Sequence, residues 1–117
     1  MDNYKISLLH LIDGAKILGL SNADIQVAQD FLTFNELGLS FDTIITQMYE
    51  YDIEITIEYY SMISKIGESM QIPLEEYSFM KELIRSDNII PQPIKEGLRG
   101  IIDSLNGAIE KNVNDVI

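Results

Sequence analysis

Apolar residues recur at every third or fourth position through almost the whole chain, a spacing that suits short amphipathic helices, each burying one stripe against its neighbours. Ile6, Leu9, Ile12 and Ile17 fall near one face of a helix over 3–18, which Gly19 stops. Ser21 caps a second helix over 22–34, with the acidic Asp24 three residues on, and Ile25, Ala28 and Leu32, joined by Phe31, supply its buried stripe. Gly38 then breaks the chain. Ser40 reads as the cap of a third helix, in which Phe41, Ile44, Ile45, Met48 and Tyr49 repeat at helical spacing as far as Tyr51.

The following "DIEIT" alternates polar and apolar residues as a strand would, but the chain offers it no partner strand, so it is read as a connector. Thr56 caps a fourth helix with Ile57, Tyr60, Ile63, Gly67 and Met70 on one side, Gly67 marking a close crossing. Pro73 opens a fifth helix ending near Ser86, with Glu75 and Glu76 at its positive end and Leu74, Tyr77, Met80, Leu83 and Ile84 as its stripe. Pro91 and Pro93 forbid helix continuation, making 87–93 a linker between a helical bundle over 1–86 and a sixth amphipathic helix over 94–117. Gly97, Gly100 and Gly107 weaken that last helix, so it needs packing on the bundle or on a second copy of the chain. The expected fold class is all-α, a compact bundle of about five to six short helices, and 117 residues with 46% hydrophobic content suffice for one core.

Charge is the second constraint. The net charge is -11, and from Ile17 to Ser64 the chain carries Asp24, Asp30, Glu36, Asp42, Glu50, Asp52, Glu54 and Glu58 with no lysine or arginine. That stretch contributes -8, leaving 11 acids against 8 bases, or -3, elsewhere. Such a field repels nucleic acid and anionic membranes and speeds encounters with basic partners, although its plainest role is a solvated face. Without cysteine, disulfides, thiol nucleophiles and thiolate metal sites are excluded. No apolar run approaches the roughly 20 residues of a membrane span, and the amino terminus lacks the pattern of a secretory signal. A soluble, cytoplasmic protein is expected.

Catalytic groups are scarce, and no enzyme activity, catalytic residue or cofactor is expected. His10, with Ser7 and Asp13 one turn away, reads as a rim histidine with one local hydrogen bond, since no second titratable cluster joins it. Asp52, Glu54 and Glu58 lack the glycine-containing spacing of a calcium loop, so no metal is expected. "GLRG" has no strand before it to make a phosphate loop. Of the tyrosines around the connector, helical phase assigns Tyr49 and Tyr60 to the core and leaves Tyr51 and Tyr59 facing out.

The run from "LGLS" through "NELGLSFDTIITQMYEYDI" to "MQIPLEEYSFMKELI", spanning about residues 17–85, resembles the MafI-type immunity proteins of bacterial polymorphic toxin and contact-dependent inhibition systems. The resemblance implies a cytoplasmic antitoxin that binds the toxin domain delivered by a sibling cell and blocks its active site. Related immunity proteins are associated with nuclease toxins, often ribonucleases of the EndoU type. An acidic helical surface suits that role, because a nuclease carries a cationic cleft for phosphates. The toxin-binding candidates are Glu36, Asp42, Glu50, Tyr51, Asp52, Glu54 and Glu58. The alternative is a self-associating structural or regulatory module, a homodimer held by its carboxy-terminal helix, whose acids serve only solubility.

Overall fold

In the computed structural model, which describes residues 3–85, 97 and 99–105, the chain is all-α. Its elements are α1 (Asn3–Leu18), α2 (Asn22–Thr33), α3 (Leu37–Glu50), α4 (Ile57–Ser69) and two 3-10 segments, Leu74–Glu76 and Ser78–Leu83. Helix α1 is central and packs on α2, α3 and α4, while the 3-10 segments close the side between α3 and α4. Residues 99–105 are helical and bring Leu105 into the same core, with Ile101 and Ile102 packed partly against it. The 87–93 linker and most of the last predicted helix lie outside the described residues.

Helices α1, α2, α3 and α4 end the same way. The residue after each cap takes a positive φ, at Gly19 (118°), Asn35 (59°), Asp52 (50°) and Gln71 (60°). The next amide then reaches back to a carbonyl five positions earlier: Leu20 to Ala15 at 2.9 Å, Glu36 to Phe31 at 2.8 Å, Ile53 to Met48 at 3.0 Å and Ile72 to Gly67 at 2.8 Å. These are Schellman closures, which satisfy carbonyls that the helix ladder leaves open. Only the first uses glycine. The break between α2 and α3 therefore belongs to Asn35, whose short polar side chain tolerates the left-handed region. Gly38 lies inside α3, contrary to the sequence expectation.

Two caps are side-chain caps. The Asp24 amide donates to Ser21 Oγ at 3.2 Å, starting α2, and the Tyr59 amide donates to Thr56 Oγ1 at 2.9 Å, starting α4. Thr56 is buried, so Thr56→Ala leaves that amide without its partner, and thermal unfolding should show a loss of about 1 kcal/mol. Ser40 is not a cap. It is fully buried in α3, and its hydroxyl donates to the Ala28 carbonyl of α2 at 2.9 Å, pinning the two helices together.

Three predicted faces are corrected. In α1 the core stripe is Leu8, Leu11, Ile12 and Ala15, whereas Leu9 is exposed and Ile6 and Ile17 are only half-buried. "SLLHLI" supports two overlapping stripes, and the one that turns Gly14 and Ala15 inward lets the neighbours approach. In α4 the inward set is Tyr59, Met62, Ile63, Ile66 and Gly67, while Ile57 is 65% exposed and Tyr60 half-buried. Tyr59, expected outside, is completely buried.

The third correction replaces the fifth α-helix by two 3-10 segments that break at Tyr77, whose φ is -139°. Tyr77, Met80 and Leu83 are the buried side chains, three residues apart, the repeat of a 3-10 helix. Leu74 stays exposed. The segment then extends at Ile84 to form a single parallel bridge with Ile55: the Ile55 amide donates to Leu83 O at 3.0 Å and the Arg85 amide to Ile55 O at 3.2 Å. So "DIEIT" does have a pairing partner, one residue long, and a helix continuing through Ile84 would forfeit it.

Candidate functional site: the acidic outer face of α3

Phe41, Ile44, Ile45 and Met48 turn one side of α3 into the core. Their phase forces Leu39, Asp42, Thr46 and Glu50 to the opposite side, where all four are exposed. The outward row carries little internal compensation. The Thr46 hydroxyl reaches Asp42 Oδ1 at 3.5 Å and the Thr43 hydroxyl is turned back onto Leu39 O at 2.8 Å. The last turn of α3 contains no basic residue. Its carbonyl end, carrying the negative pole of the helix dipole, coincides with Glu50 and Asp52, so the anionic potential concentrates there.

Seven candidates, then, occupy four places. Glu36 is the exposed residue before the first turn of α3 and makes no side-chain capping bond. Glu50, Tyr51, Asp52 and Glu54 cluster at the other end, separated from Glu36 by the length of a 14-residue helix, about 21 Å, with Asp42 between them on the outer row. Glu58 stands apart on α4, lining a groove of about 260 Å³ with Ile57, Ser61, Met62, Lys65, Ile102 and Leu105. Tyr51 is 62% exposed, as its phase predicted.

Residues from the 3-10 region complete the cluster. Tyr49, expected in the core, is exposed; its ring meets Phe79 edge-on at 4.8 Å between centroids, and its hydroxyl donates to Glu82 Oε2 at 2.5 Å. That hydrogen bond and the adjacent negative charge push the Tyr49 phenol above its ordinary value, so it remains a neutral donor. Arg85 stands 3.6 Å from Asp52 and 3.8 Å from Glu54, while its guanidinium also donates to Glu82 O at 2.6 Å. Both ion pairs are long and partly exposed, worth little to stability, but they partly offset two of the candidate acids. No local pattern ties Tyr49, Phe79, Glu82 and Arg85 together, because they come from segments about 30 residues apart. The link is visible only once Ile84 pairs with Ile55.

Elsewhere His10 bonds through Nδ1 to Ile6 O at 2.8 Å, and the Ser7 hydroxyl donates to Asn3 O at 3.0 Å rather than to the imidazole. Among the described residues no group of three or more histidine, aspartate or glutamate side chains is arranged to hold a metal ion, and no helix is long and apolar enough to cross a membrane. What the outer face of α3 can do chemically is bind: it offers carboxylates, two tyrosine rings and a helix carbonyl terminus to a cationic surface. No family model, curated protein or solved structure matches this chain.

Proposed function

We propose that this chain is an immunity protein that binds and neutralises a nuclease toxin domain, of the EndoU ribonuclease class, by laying the acidic outer face of α3 and the 51–54 connector over the toxin's basic cleft. The observation that carries this reading is the coincidence of Glu50, Asp52, Glu54 and Glu82 with the carbonyl end of α3, whose last turn holds no basic residue, beside the exposed rings of Tyr49 and Tyr51. Aromatic rings supply contact area at low entropy cost, and the carboxylates supply complementarity to a phosphate-binding cleft. The resemblance over 17–85 points to the same partner class.

The test is calorimetry against a nuclease domain encoded beside this chain's gene, with nuclease activity followed in parallel. The comparison variant is Glu50→Gln, Asp52→Asn and Glu54→Gln combined, since asparagine accepts the positive φ of Asp52 where alanine would add strain. Neutralisation by the wild type is expected, with association of the variant slowed about tenfold at low salt and the difference shrinking as salt rises. A wild-type protein that neither binds nor inhibits the nuclease would defeat the reading. Sedimentation tests the self-association alternative, which requires a dimer.

A further inference from the structure

Helix α2 has a second apolar strip that the core does not use. Ile25, Ala28 and Leu32 are buried, whereas Val27 is 44% exposed, Phe34 is 75% exposed and Phe31 is half-buried between them. Positions 27, 31 and 34 follow the four-and-three spacing of one helix face, so the strip is continuous over roughly 10 Å and lies largely away from the buried stripe. Leu39, 48% exposed, follows five residues after Phe34 in the first turns of α3. Among the described residues, Phe34 is the most exposed of the large hydrophobics.

The backbone beneath Phe34 is held. Its amide donates to Asp30 O at 3.1 Å, and the Schellman closure through Asn35 (3.0 Å to Leu32 O) and Glu36 (2.8 Å to Phe31 O) fixes the corner on both sides of the ring. An aromatic ring presented on ordered backbone loses little freedom on binding, which is the condition for an anchor residue. Its charged neighbours in sequence are Asp30 and Glu36, both exposed, with Asp42 farther along the outer row of α3. The stretch from 17 to 64 contains no base, so the charges nearest this apolar patch in sequence are all acidic, which favours a partner whose apolar pocket is ringed by lysine or arginine.

We infer that Phe34, flanked by Val27 and Leu39, is the apolar anchor by which the α2–α3 corner seats in a pocket of a basic protein, with Asp30 and Glu36 steering it. The inference rests on the reading of this side of the molecule as the face for a basic partner, and it adds a hot spot some 20 Å from the carboxylate cluster.

A randomised peptide library displayed on phage, selected against the wild-type protein, tests it without any nuclease. The expected result is enrichment of peptides that pair arginine or lysine with an aromatic or large aliphatic residue. Their affinity should fall about tenfold or more in Phe34→Ala, less in Val27→Ser, and in Glu36→Gln by an amount that fades with salt. Three results would overturn the inference: no enrichment, enriched peptides that lack bases, or peptides that bind Phe34→Ala as tightly as the wild type. A wild-type dimer that Phe34→Ala dissociates would also overturn it, by assigning the patch to a second copy of the chain. Since the selection involves no nuclease, failure to neutralise one would defeat the immunity reading and leave the anchor standing, and the reverse holds equally.

Discussion

Replacing Tyr59 by alanine is expected to cost about 3–5 kcal/mol of stability, the range for deleting a fully buried aromatic side chain. Tyr59 has no exposed surface, and its hydroxyl donates to the Leu11 carbonyl of α1 at 2.7 Å. Two losses coincide in the alanine variant. A cavity opens between α1 and α4, and a buried side-chain hydrogen bond linking those helices disappears. Tyr59→Phe separates them: it keeps the ring and should cost about 1 kcal/mol, because the Leu11 carbonyl sits within α1 and keeps its helix-ladder partner. Urea unfolding followed by circular dichroism measures both, and an alanine variant within 1 kcal/mol of wild type would show that the α1–α4 contact can collapse onto the vacancy. Burial also pushes the Tyr59 phenol well above its ordinary value. The sign follows directly. A raised folded-state value means that this contribution is complete below pH about 10, the value of an unfolded tyrosine, and is lost as pH rises toward the folded-state value.

Gly67→Val should cost about 1–2.5 kcal/mol, for the opposite reason. A Cβ at Gly67 would lie 2.6 Å from Cε1 and 2.9 Å from Cδ1 of Tyr77, whose ring stands against α4 at that point. Glycine is a poor helix former, so filling the position gains a few tenths of a kcal/mol in propensity. Overpacking costs about 1–3 kcal/mol and wins, because Tyr77 cannot easily withdraw. The ring is only 4% exposed and meets Phe41 edge-on at 6.1 Å between centroids. Tyr77→Leu in the same chain should recover part of the loss, and a double-mutant cycle reads the coupling directly. Additive losses would place the strain elsewhere than on Tyr77.

Tyr77 also shows how the sequence-level expectation came close and where it stopped. A close approach at Gly67 was legible, since glycine inside an amphipathic helix suggests a neighbour that a Cβ would meet. Its partner was not legible, because the segment holding Tyr77 reads equally as an α-helical stripe when Ile84 is counted and as a 3-10 repeat when it is not. Pairing between Ile84 and Ile55 decides between them, and that contact spans 29 residues. The candidate site divides along the same line. The acids of the 17–64 stretch are visible as composition. Their separation into an α3 row, a cluster offset by Arg85 and an outlying Glu58 depends on helix phase and on long-range pairing.

By itself, the sequence determined an all-α chain, the caps at Ser21 and Thr56, the core stripes of α2 and, Tyr49 apart, of α3, and the acidic charge of the 17–64 stretch, because each of these is written in residues at most a few positions apart. Tertiary structure alone decided which of two overlapping stripes α1 and α4 bury, that three non-glycine residues close helices in the left-handed region, and that Tyr49, Glu82 and Arg85 join the acidic end of α3. Competing local choices of this kind differ by about 1 kcal/mol or less, and burial of a shared core, worth far more, selects among them.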